Sequence, residues 1–527
     1  MNENLLTQAR AFIAALPASV EMPAGTGKTH LLAAVVTELT ALVASDEPPQ
    51  KNRALVLTHT NAGVHAIRKR LDDFGARATI RVSTITSFAF ELARAYPQLG
   101  GLEVPGVPNW ANSASYIEAA THVSGSGHIR RVLEASFTHL LVDEYQDCTE
   151  SQHEFVLRLT DAIPAAGVFG DRLQAIFGFA DPLVSWSAVE TAFPRFDVNW
   201  TPWRWKGHNE SLVRWLVKVR GLLKAGEVFD FSAAALPDGV RFEYGSQDHR
   251  VLPRVAREVG TAEETVLILC GIAPEMVRAT AKRLNGQYSA MEEIRGSYMR
   301  NQLTVLNATD PIRYGRWLAD VAKNCFVGYG DLNPPVLLKL DKGLTVSHLK
   351  RDGLSETLTA LDLVATKRNL ESLAQAMLVL ARAKEARLHS HEAWYDMLSA
   401  IRSASAVATT PEDSSLGSDS VPLLNHLDMI RNRLRHTGRE DRRRIVSRTV
   451  LIKGLEYDHV IVANVDQITD ACNLYVALSR ARKTITVLGS RPQILITPTL
   501  TRPRRDRRSL RSCLPRQSTP TSTRSGE

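Results

Sequence analysis

The segment SVEMPAGTGKTHLL, residues 19–32, constrains the fold more strongly than other parts of the chain. A short apolar run leads into a glycine-rich turn, and a helix-forming stretch follows. This order is typical of a parallel strand, then a loop whose backbone N–H groups bind phosphate at a helix N-terminus. We therefore predict an α/β fold with a nucleotide site formed by Ala24, Gly25, Thr26, Gly27, Lys28, Thr29 and His30.

The residue types in this turn suit distinct tasks. Gly25 and Gly27 allow phosphates to approach the backbone, Lys28 neutralises them, and the Thr29 hydroxyl is a ligand for Mg²⁺. The full pattern G-x-x-x-x-G-K-[ST] is not met, because Met22 stands in place of its first glycine. The turn alone thus predicts a phosphate site but not a family.

A second segment, FTHLLVDEYQD at residues 137–147, has the pattern of a buried strand that ends in carboxylates. Asp143 is placed to hold Mg²⁺ through water, and Glu144 to orient and deprotonate an attacking water. Two acids at a strand end can equally be a solvated terminus. The phosphate loop that precedes them favours the catalytic interpretation.

Five further segments, together with the DEYQD already described, occur in an order that identifies a family. They are LVLTHTNAGVHAIRKRL (55–71), DEYQD (143–147), GDRLQAIFGF (170–179), TPWRW (201–205), KGLEYDHVIV (453–462) and LYVALSRARKTITVLG (474–489). They resemble motifs Ia, II, III, IV, V and VI of UvrD/Rep-like helicases of superfamily 1, over scattered blocks in residues 8–205 and 447–490. The resemblance implies two tandem RecA-like lobes, with a short insertion in the first and a helical insertion in the second, and ATP with Mg²⁺.

The resemblance also implies roles for particular side chains at the nucleotide. Gln174 would sense the γ-phosphate, and Arg204 would bind it from the second lobe. Arg480 would be the arginine finger that stabilises charge on the transferred phosphoryl group. Glu456 would contact the ribose, and Gln8 would read the adenine, although a surface position is an equal alternative for Gln8.

Other matched positions predict a path for single-stranded DNA. Phe177 and Phe179 stand where the family has aromatic residues that stack on bases, although isolated Phe side chains more often belong to a core. Thr58, His59 and Asn61 would line the strand. His59 replaces a Phe that is usual in the family, and Val450 with Leu451 replaces a His-Ser pair, which puts polar contacts of motif V in doubt.

Apolar β-branched runs alternate with amphipathic stretches, which is typical of parallel sheets covered by helices. Candidate strands are Ala54–Thr58, Thr138–Asp143, Gly167–Gly170, Thr265–Leu269, Val460–Val465 and Thr484–Leu488. We expect a first lobe at 1–200 with an insertion at about 97–132, a second lobe at 201–298 and 445–498, and a helical insertion at 299–444. The Arg-dense stretch 431–448 is either a solvated helix face or a contact to the DNA backbone, and the tail 499–527 is expected to be disordered.

Composition limits the class of protein but does not indicate an activity. Residues 501–527 contain eight Arg and two acids, so this tail carries +6 of the net charge of +8. Bulk charge therefore gives little support for nucleic-acid binding by the rest of the chain. The dispersed Cys148, Cys270, Cys325, Cys472 and Cys513 predict reduced thiols without structural zinc, and the absence of a signal-like or membrane-spanning stretch predicts a cytoplasmic protein.

The motif set predicts an ATP-dependent DNA helicase or translocase that is stimulated by single-stranded DNA, with 3′→5′ movement implied by the resemblance. The expected nucleic-acid partner is single-stranded DNA or a tailed duplex. One alternative is a motor or sensor subunit beside a nuclease, since the layout resembles the small subunit of Gabija-type phage-defence systems. Another is a DNA-triggered NTPase without unwinding, and a repair partner also remains open.

Overall fold

The structure is a computed structural model that describes residues 3–43, 54–75, 80–106, 108–178, 181–232, 236–246, 248, 250–271, 273–293, 296–349, 351–408, 423–437, 442–494 and 496. The Phe179 position and the tail 499–527 lie outside these residues, as does most of the Ser-rich stretch 403–420. The predicted disorder of the tail therefore stays a prediction.

The N-terminal lobe is built on a parallel sheet of strands β1 to β5, in the order β1-β5-β4-β2-β3. The strands are β1 (Ala18–Glu21), β2 (Ala54–Thr58), β3 (Ile80–Thr84), β4 (His139–Val142) and β5 (Ala165–Gly170). The helices are α1 (Glu3–Ala14), α2 (Lys28–Val43), α3 (Asn61–Asp73), α4 (Ile85–Ala95), α5 (Pro97–Gly100), α6 (Ser113–Ser124), α7 (Gly127–Ser136), α8 (Glu150–Thr160) and α9 (Trp186–Ala192).

Both faces of this first sheet are covered. Leu55 and Leu57 pack into one buried cluster, whereas Ala54 and Val56 pack into another. Since successive side chains of a strand point to opposite faces, these clusters lie on the two sides of the sheet. Side-chain caps begin the flanking helices, such as Thr149, which forms a reciprocal capping box with Gln152 at the start of α8.

The C-terminal lobe is built on a second parallel sheet, whose strands come from two separate parts of the chain. The first part contains α10 (Glu210–Ala225), β6 (Phe229–Asp230), β7 (Val240–Tyr244), α11 (Val251–Glu258), β8 (Val266–Leu269), α12 (Pro274–Arg283) and β9 (Ser289–Ala290).

A helical region follows β9 and has its own buried core. It contains α13 (Ser297–Asn307), α14 (Tyr314–Cys325), β10 (Phe326–Val327), α15 (Pro334–Asp341), α16 (Ser355–Lys367), α17 (Leu370–Arg382), β11 (Arg387–Leu388), α18 (His391–Ala408) and α19 (Leu423–Thr437). Helix α19 packs against α3 of the first lobe. The region therefore contacts both lobes, because its helix α18 packs against β9 of the second sheet.

The chain then returns to the second lobe with β12 (Arg444–Ser447), β13 (Tyr457–Val462), α20 (Ala471–Leu478), β14 (Ala481–Gly489) and β15 (Gln493–Ile494), of which β15 pairs with β6 in a separate antiparallel ribbon. The sheet order is β7-β14-β13-β8-β12-β9, and each of these pairings is parallel. The predicted α/β fold with tandem RecA-like lobes is confirmed. Within the described residues no helix is long and apolar enough to cross a membrane.

The lobes share a core on one side of the second sheet. Val460 and Val462 of β13 pack with Ala24, Leu173 and Ile176 of the first lobe. Ile461 packs instead into a cluster with α11 and α12 on the opposite face. The nucleotide loop and motif III thus lie against one defined face of the second lobe.

Candidate nucleotide site and nucleic-acid interface

The phosphate loop joins β1 to α2, and its glycines have left-handed backbone angles. Gly25 has φ 71° and Gly27 has φ 96°, a region that favours glycine. A Cβ on Gly25 would lie 2.8 Å from Cβ of Arg204, and a Cβ on Gly27 would lie 2.8 Å from Cδ1 of Trp203. The motif IV segment of the second lobe therefore lies directly on the loop, where the Arg204 N–H also donates to the Gly25 carbonyl at 3.1 Å.

The loop lysine and the motif II acids meet at the ends of neighbouring elements. Lys28 Nζ lies 3.2 Å from Glu144 Oε1, and Asp143 is buried beside them. Burial, assisted by Glu144, raises the pKa of Asp143 to about 6. Burial opposes ionisation of Glu144 as well, but Lys28 and Lys453 hold its pKa well below the usual value. Glu144 is thus a carboxylate at neutral pH, which its predicted role as a base for water requires.

A chain of hydrogen bonds runs from these acids to the second lobe. Gln146 donates to Glu144 and accepts from the Asp171 N–H at 2.9 Å. Gln174 donates to Asp171 at 2.9 Å, and Arg480 donates from Nη2 to Gln174 Oε1 at 3.1 Å. Motifs II, III and VI are therefore linked through side chains alone, apart from one backbone N–H.

The second lobe contributes two buried guanidinium groups. Arg204 pairs with Glu456 at 2.9 Å and donates to the Ser479 carbonyl at 2.5 Å. Arg480 is only 1% exposed, and burial with the neighbouring Arg204 charge lowers its pKa to about 9. Arg480 remains cationic at neutral pH, and this wall of the cleft suits a polyanion.

The residues present fit a nucleoside triphosphate. Arg204 Nε is buried without an acceptor among the described residues, and it lies 3.0 Å from the place a Cβ of Gly25 would take. An unsatisfied buried donor is costly unless a ligand completes it. Its position against the phosphate loop makes a phosphate oxygen the matching acceptor.

Comparison with known proteins agrees with this geometry. The profile of the UvrD/REP helicase N-terminal domain matches residues 5–123 and 113–184, which contain the phosphate loop, motif II and motif III. The first lobe is a UvrD/REP helicase N-terminal domain. The prediction of a UvrD-like protein of helicase superfamily 1 is thereby confirmed.

Other comparisons add less. A solved crystal structure of Pif1 helicase from Candida albicans is similar at 15% identity and a TM-score of 0.32, with 55% of this chain and 55% of that chain covered. The chain thus matches only about half the length of that protein. A search of curated protein sequences gives no match.

Some predicted nucleotide contacts of this UvrD-like chain have other partners in the structure. Gln8 accepts from the Asn199 N–H at 3.0 Å and donates to Asn4 at 3.3 Å, so both ends of its amide are engaged. Thr26 donates to the Pro23 carbonyl at 2.7 Å, which braces the loop. Thr29 and His30 are half-buried at the start of α2. A role of Gln8 with adenine, and of Thr29 with Mg²⁺, stays a prediction.

The structure adds residues that sequence reasoning left without a role. Trp203 is 42% exposed beside the loop and stacks on His30, with 6.2 Å between ring centroids and 14° between planes. Tyr475 of α20 accepts from the Ala24 N–H at 3.2 Å. Both positions lie inside quoted motif segments, but only three-dimensional proximity to the loop shows what they contact.

Lys453 of motif V links the acids to motif III. It pairs with Asp147, donates to the Gln174 carbonyl at 2.8 Å and lies 3.6 Å from Glu144. Its ammonium also lies 5.3 Å from the centre of the Phe177 ring. One cation of the second lobe thus contacts both the motif II acids and the predicted DNA track.

The predicted DNA track is only partly assembled. Phe177 is half-buried against the shared core, and Asn61 begins α3. Thr58 is 1% exposed, so its side chain is closed to a strand in this arrangement. His59 Nε2 lies 3.4 Å from Cys148 Sγ, and burial with the Lys453 charge lowers the His59 pKa to about 3. His59 is therefore a neutral ring, while Phe179 lies outside the described residues.

Proposed function

We propose that this UvrD-like protein hydrolyses ATP and uses the reaction to move along single-stranded DNA. The observation that carries the proposal is the chain of hydrogen bonds from Glu144 through Gln146, Asp171 and Gln174 to Arg480. It joins the base for water in the first lobe to the arginine of the second. A change at the nucleotide can therefore alter how the lobes are held together.

The roles of the nucleotide residues follow from their contacts. Lys28, Thr29 and Asp143 would hold the phosphates and Mg²⁺, and Glu456 is placed with Arg204 at the rim. Bound ATP and Mg²⁺ supply the cleavable phosphoanhydride and its charge-neutralising cation. Glu144, kept ionised by two lysines, accepts a proton from water, while Arg480 and Arg204 stabilise negative charge from the opposite lobe.

Lys453 gives a physical route from DNA to the acids. A base that stacks on Phe177 would meet the Lys453 ammonium, which already lies over that ring. Movement of Lys453 changes the charge next to Glu144 and Asp147. Binding of DNA at Phe177 would thereby change the electrostatic potential at Glu144, the proposed base.

The finer activity can be tested on tailed duplexes. We propose 3′→5′ movement from the resemblance of the motif set. The first-lobe segment between α4 and β4 holds only the helices α5 to α7 in its described part, and larger family members use a bigger insertion to engage duplex. Strong DNA-stimulated ATP hydrolysis with weak unwinding, confined to duplexes with a 3′ tail, is the expected result. Unwinding of 5′-tailed duplex would contradict the direction.

A DNA-triggered NTPase without unwinding is the second candidate, and the same small insertion favours it. Displacement of a strand-bound streptavidin block distinguishes the two, because movement clears the block even where no duplex opens. If DNA stimulates ATP hydrolysis but streptavidin is not displaced, the protein is a DNA-triggered NTPase and the proposed movement along DNA is rejected.

A further inference from the structure

We propose that the second lobe holds a separate phosphate-binding site, formed by Arg257, Arg387 and Arg444 on the face away from the nucleotide cleft. These residues line a cavity of about 460 Å³ together with Gly286 and Gln287. The ligand chemistry is a phosphate group, and the source that the surroundings favour is the backbone of a nucleic acid.

The position of the cavity separates it from the ATP site. Arg257 lies on α11, whose buried residues pack with Ile461 and Val446. Val460 and Ile445, one residue away on the same strands, pack on the opposite face with the first lobe. Because side chains alternate along a strand, the arginine cavity and the nucleotide cleft lie on opposite faces of the second sheet.

Within the described residues, the charges at this cavity have no acidic partner. None of these arginines has a carboxylate partner among the described residues. Glu258, the neighbour of Arg257, is turned instead to Arg254 at 3.0 Å and to Arg241 at 3.8 Å. Three guanidinium groups around one cavity, without a carboxylate among them, form a site of strongly positive potential.

Arg444 is held in place by neutral acceptors. It stacks over the Tyr288 ring at 5.5 Å and donates to the Tyr288 hydroxyl at 2.9 Å. Its other acceptors are the carbonyls of Ala256, Gly260 and Thr261. These bonds occupy both Nη groups and fix the guanidinium without cancelling its charge, so Arg444 contributes a fixed positive charge to the cavity.

Arg387 is placed by the backbone of a turn. Gly286 has φ +65°, and a Cβ there would lie 2.8 Å from Cγ of Arg387. The bare glycine lets the arginine stem lie along the chain, and Arg387 Nη1 donates to the Asn285 carbonyl at 3.0 Å. Arg257 and Arg387 are exposed, so a phosphate of a long polymer can reach them.

The test measures binding of a fluorescent 20-base-pair duplex to the full chain, without nucleotide, over a series of salt concentrations. Arg257→Gln with Arg387→Gln removes two cavity charges while keeping the anchored Arg444. Arg214→Gln with Lys218→Gln is the matched control, since both residues are exposed on α10, outside the cavity. Circular dichroism and the DNA-free ATPase rate establish that each variant is folded.

The cavity variant should bind duplex roughly tenfold or more weakly near physiological salt, and its plot of log K against log salt should be shallower by up to about 2, at about 0.9 per phosphate contact. The control should change far less. If both variants lose duplex affinity equally, the effect comes from the overall charge of the protein, and the proposal is overturned.

A second arm distinguishes the source of the phosphate. Inorganic pyrophosphate is titrated into each protein in saturating ADP, which occupies the nucleotide cleft. If the cavity variant loses pyrophosphate binding but keeps duplex affinity, the site stands and the nucleic-acid source is rejected. If it keeps both, the phosphate site itself is overturned.

Discussion

Arg480 of the second lobe donates a hydrogen bond to Gln174 of the first lobe, with 3.1 Å between Nη2 and Oε1. Gln174 in turn donates to Asp171, which Arg220 of the second lobe also contacts at 2.6 Å. Two arginines of the second lobe therefore hydrogen-bond to side chains of motif III. This arrangement makes each of these contacts sensitive to relative movement of the lobes.

Arg480→Lys should reduce kcat for ATP on the order of 10³-fold, because loss of an arginine finger removes stabilisation that is specific to the transition state. ATP affinity should change little. Steady-state hydrolysis and equilibrium binding of a fluorescent ATP analogue measure the two quantities. Arg482→Lys, the same exchange at a residue that pairs with Asp458, is the control and should keep near-normal turnover.

Lys28→Ala and Glu144→Gln should differ in kind, although the two side chains form an ion pair at 3.2 Å. Loss of Lys28 removes the phosphate counter-charge, so both binding and hydrolysis should fail. Glu144→Gln should keep ATP binding and lose turnover, because an amide cannot accept the proton from water. Equal loss of ATP binding in the two variants would show that these roles are misassigned.

The ion pairs of Glu21 should make the free energy of unfolding depend on pH in the acid range. Its side chain is 5% exposed between Arg172, Arg220 and Lys224. Burial opposes its ionisation, but Arg172 and Lys224 lower the Glu21 pKa from 4.5 to about 2. Because the folded pKa lies below the unfolded one, the stabilisation is complete above about pH 4.5 and is lost as pH falls towards 2. Its size is on the order of 3 kcal/mol, at about 1.4 kcal/mol per pKa unit.

Urea unfolding at pH 7, 4 and 3 checks this contribution. Glu21→Gln should be less stable at pH 7, since it leaves buried cations without their carboxylate, and should lose less stability on acidification than the parent. Glu103→Gln, at an exposed glutamate, should follow the parent curve. Parallel curves for the parent and the Glu21 variant would contradict the linkage.

Sequence patterns predicted the buried strands better than the contacts between lobes. Ala54–Thr58 is observed at its predicted bounds, because a continuous apolar run bounded by polar residues is a local signal. The strand Val240–Tyr244 was missed, since VRFEY has a mixed burial pattern. The strand predicted at Val460–Val465 begins and ends earlier, at Tyr457–Val462.

Sequence motifs likewise predicted individual site residues better than the contacts between distant residues. Motif order identified Lys28 and Glu144, and their contact is present in the structure. The Glu21 ion cluster and the link from Lys453 to Asp147 join residues far apart in the chain, and a single sequence carries no signal for such pairs. The same limit applies to Gln8, whose amide is taken by Asn199.

Trp203→Ala should raise KM for ATP up to about tenfold, because stacking of an aromatic ring contributes about 0.5 to 1.5 kcal/mol. The exposed ring lies beside Gly27, with His30 parallel to it and Lys206 Nζ 5.0 Å from its centre, so a base would stack on it by displacing one of these side chains. Trp203→Phe should keep most of the affinity. Titration of hydrolysis rates with ATP separates KM from kcat, and a change confined to kcat would reject the stacking role.

Hydrolysis of ATP with and without single-stranded DNA, in the parent and in the Phe177→Ala, Phe179→Ala variant, tests the central claim most directly. Phe177 and Gln174 lie on one loop, with Lys453 in contact with both. The account predicts strong stimulation of the parent by DNA, and a variant with an unchanged DNA-free rate that DNA no longer accelerates. A folded variant that DNA stimulates as fully as the parent, or a parent that DNA does not stimulate, would contradict it.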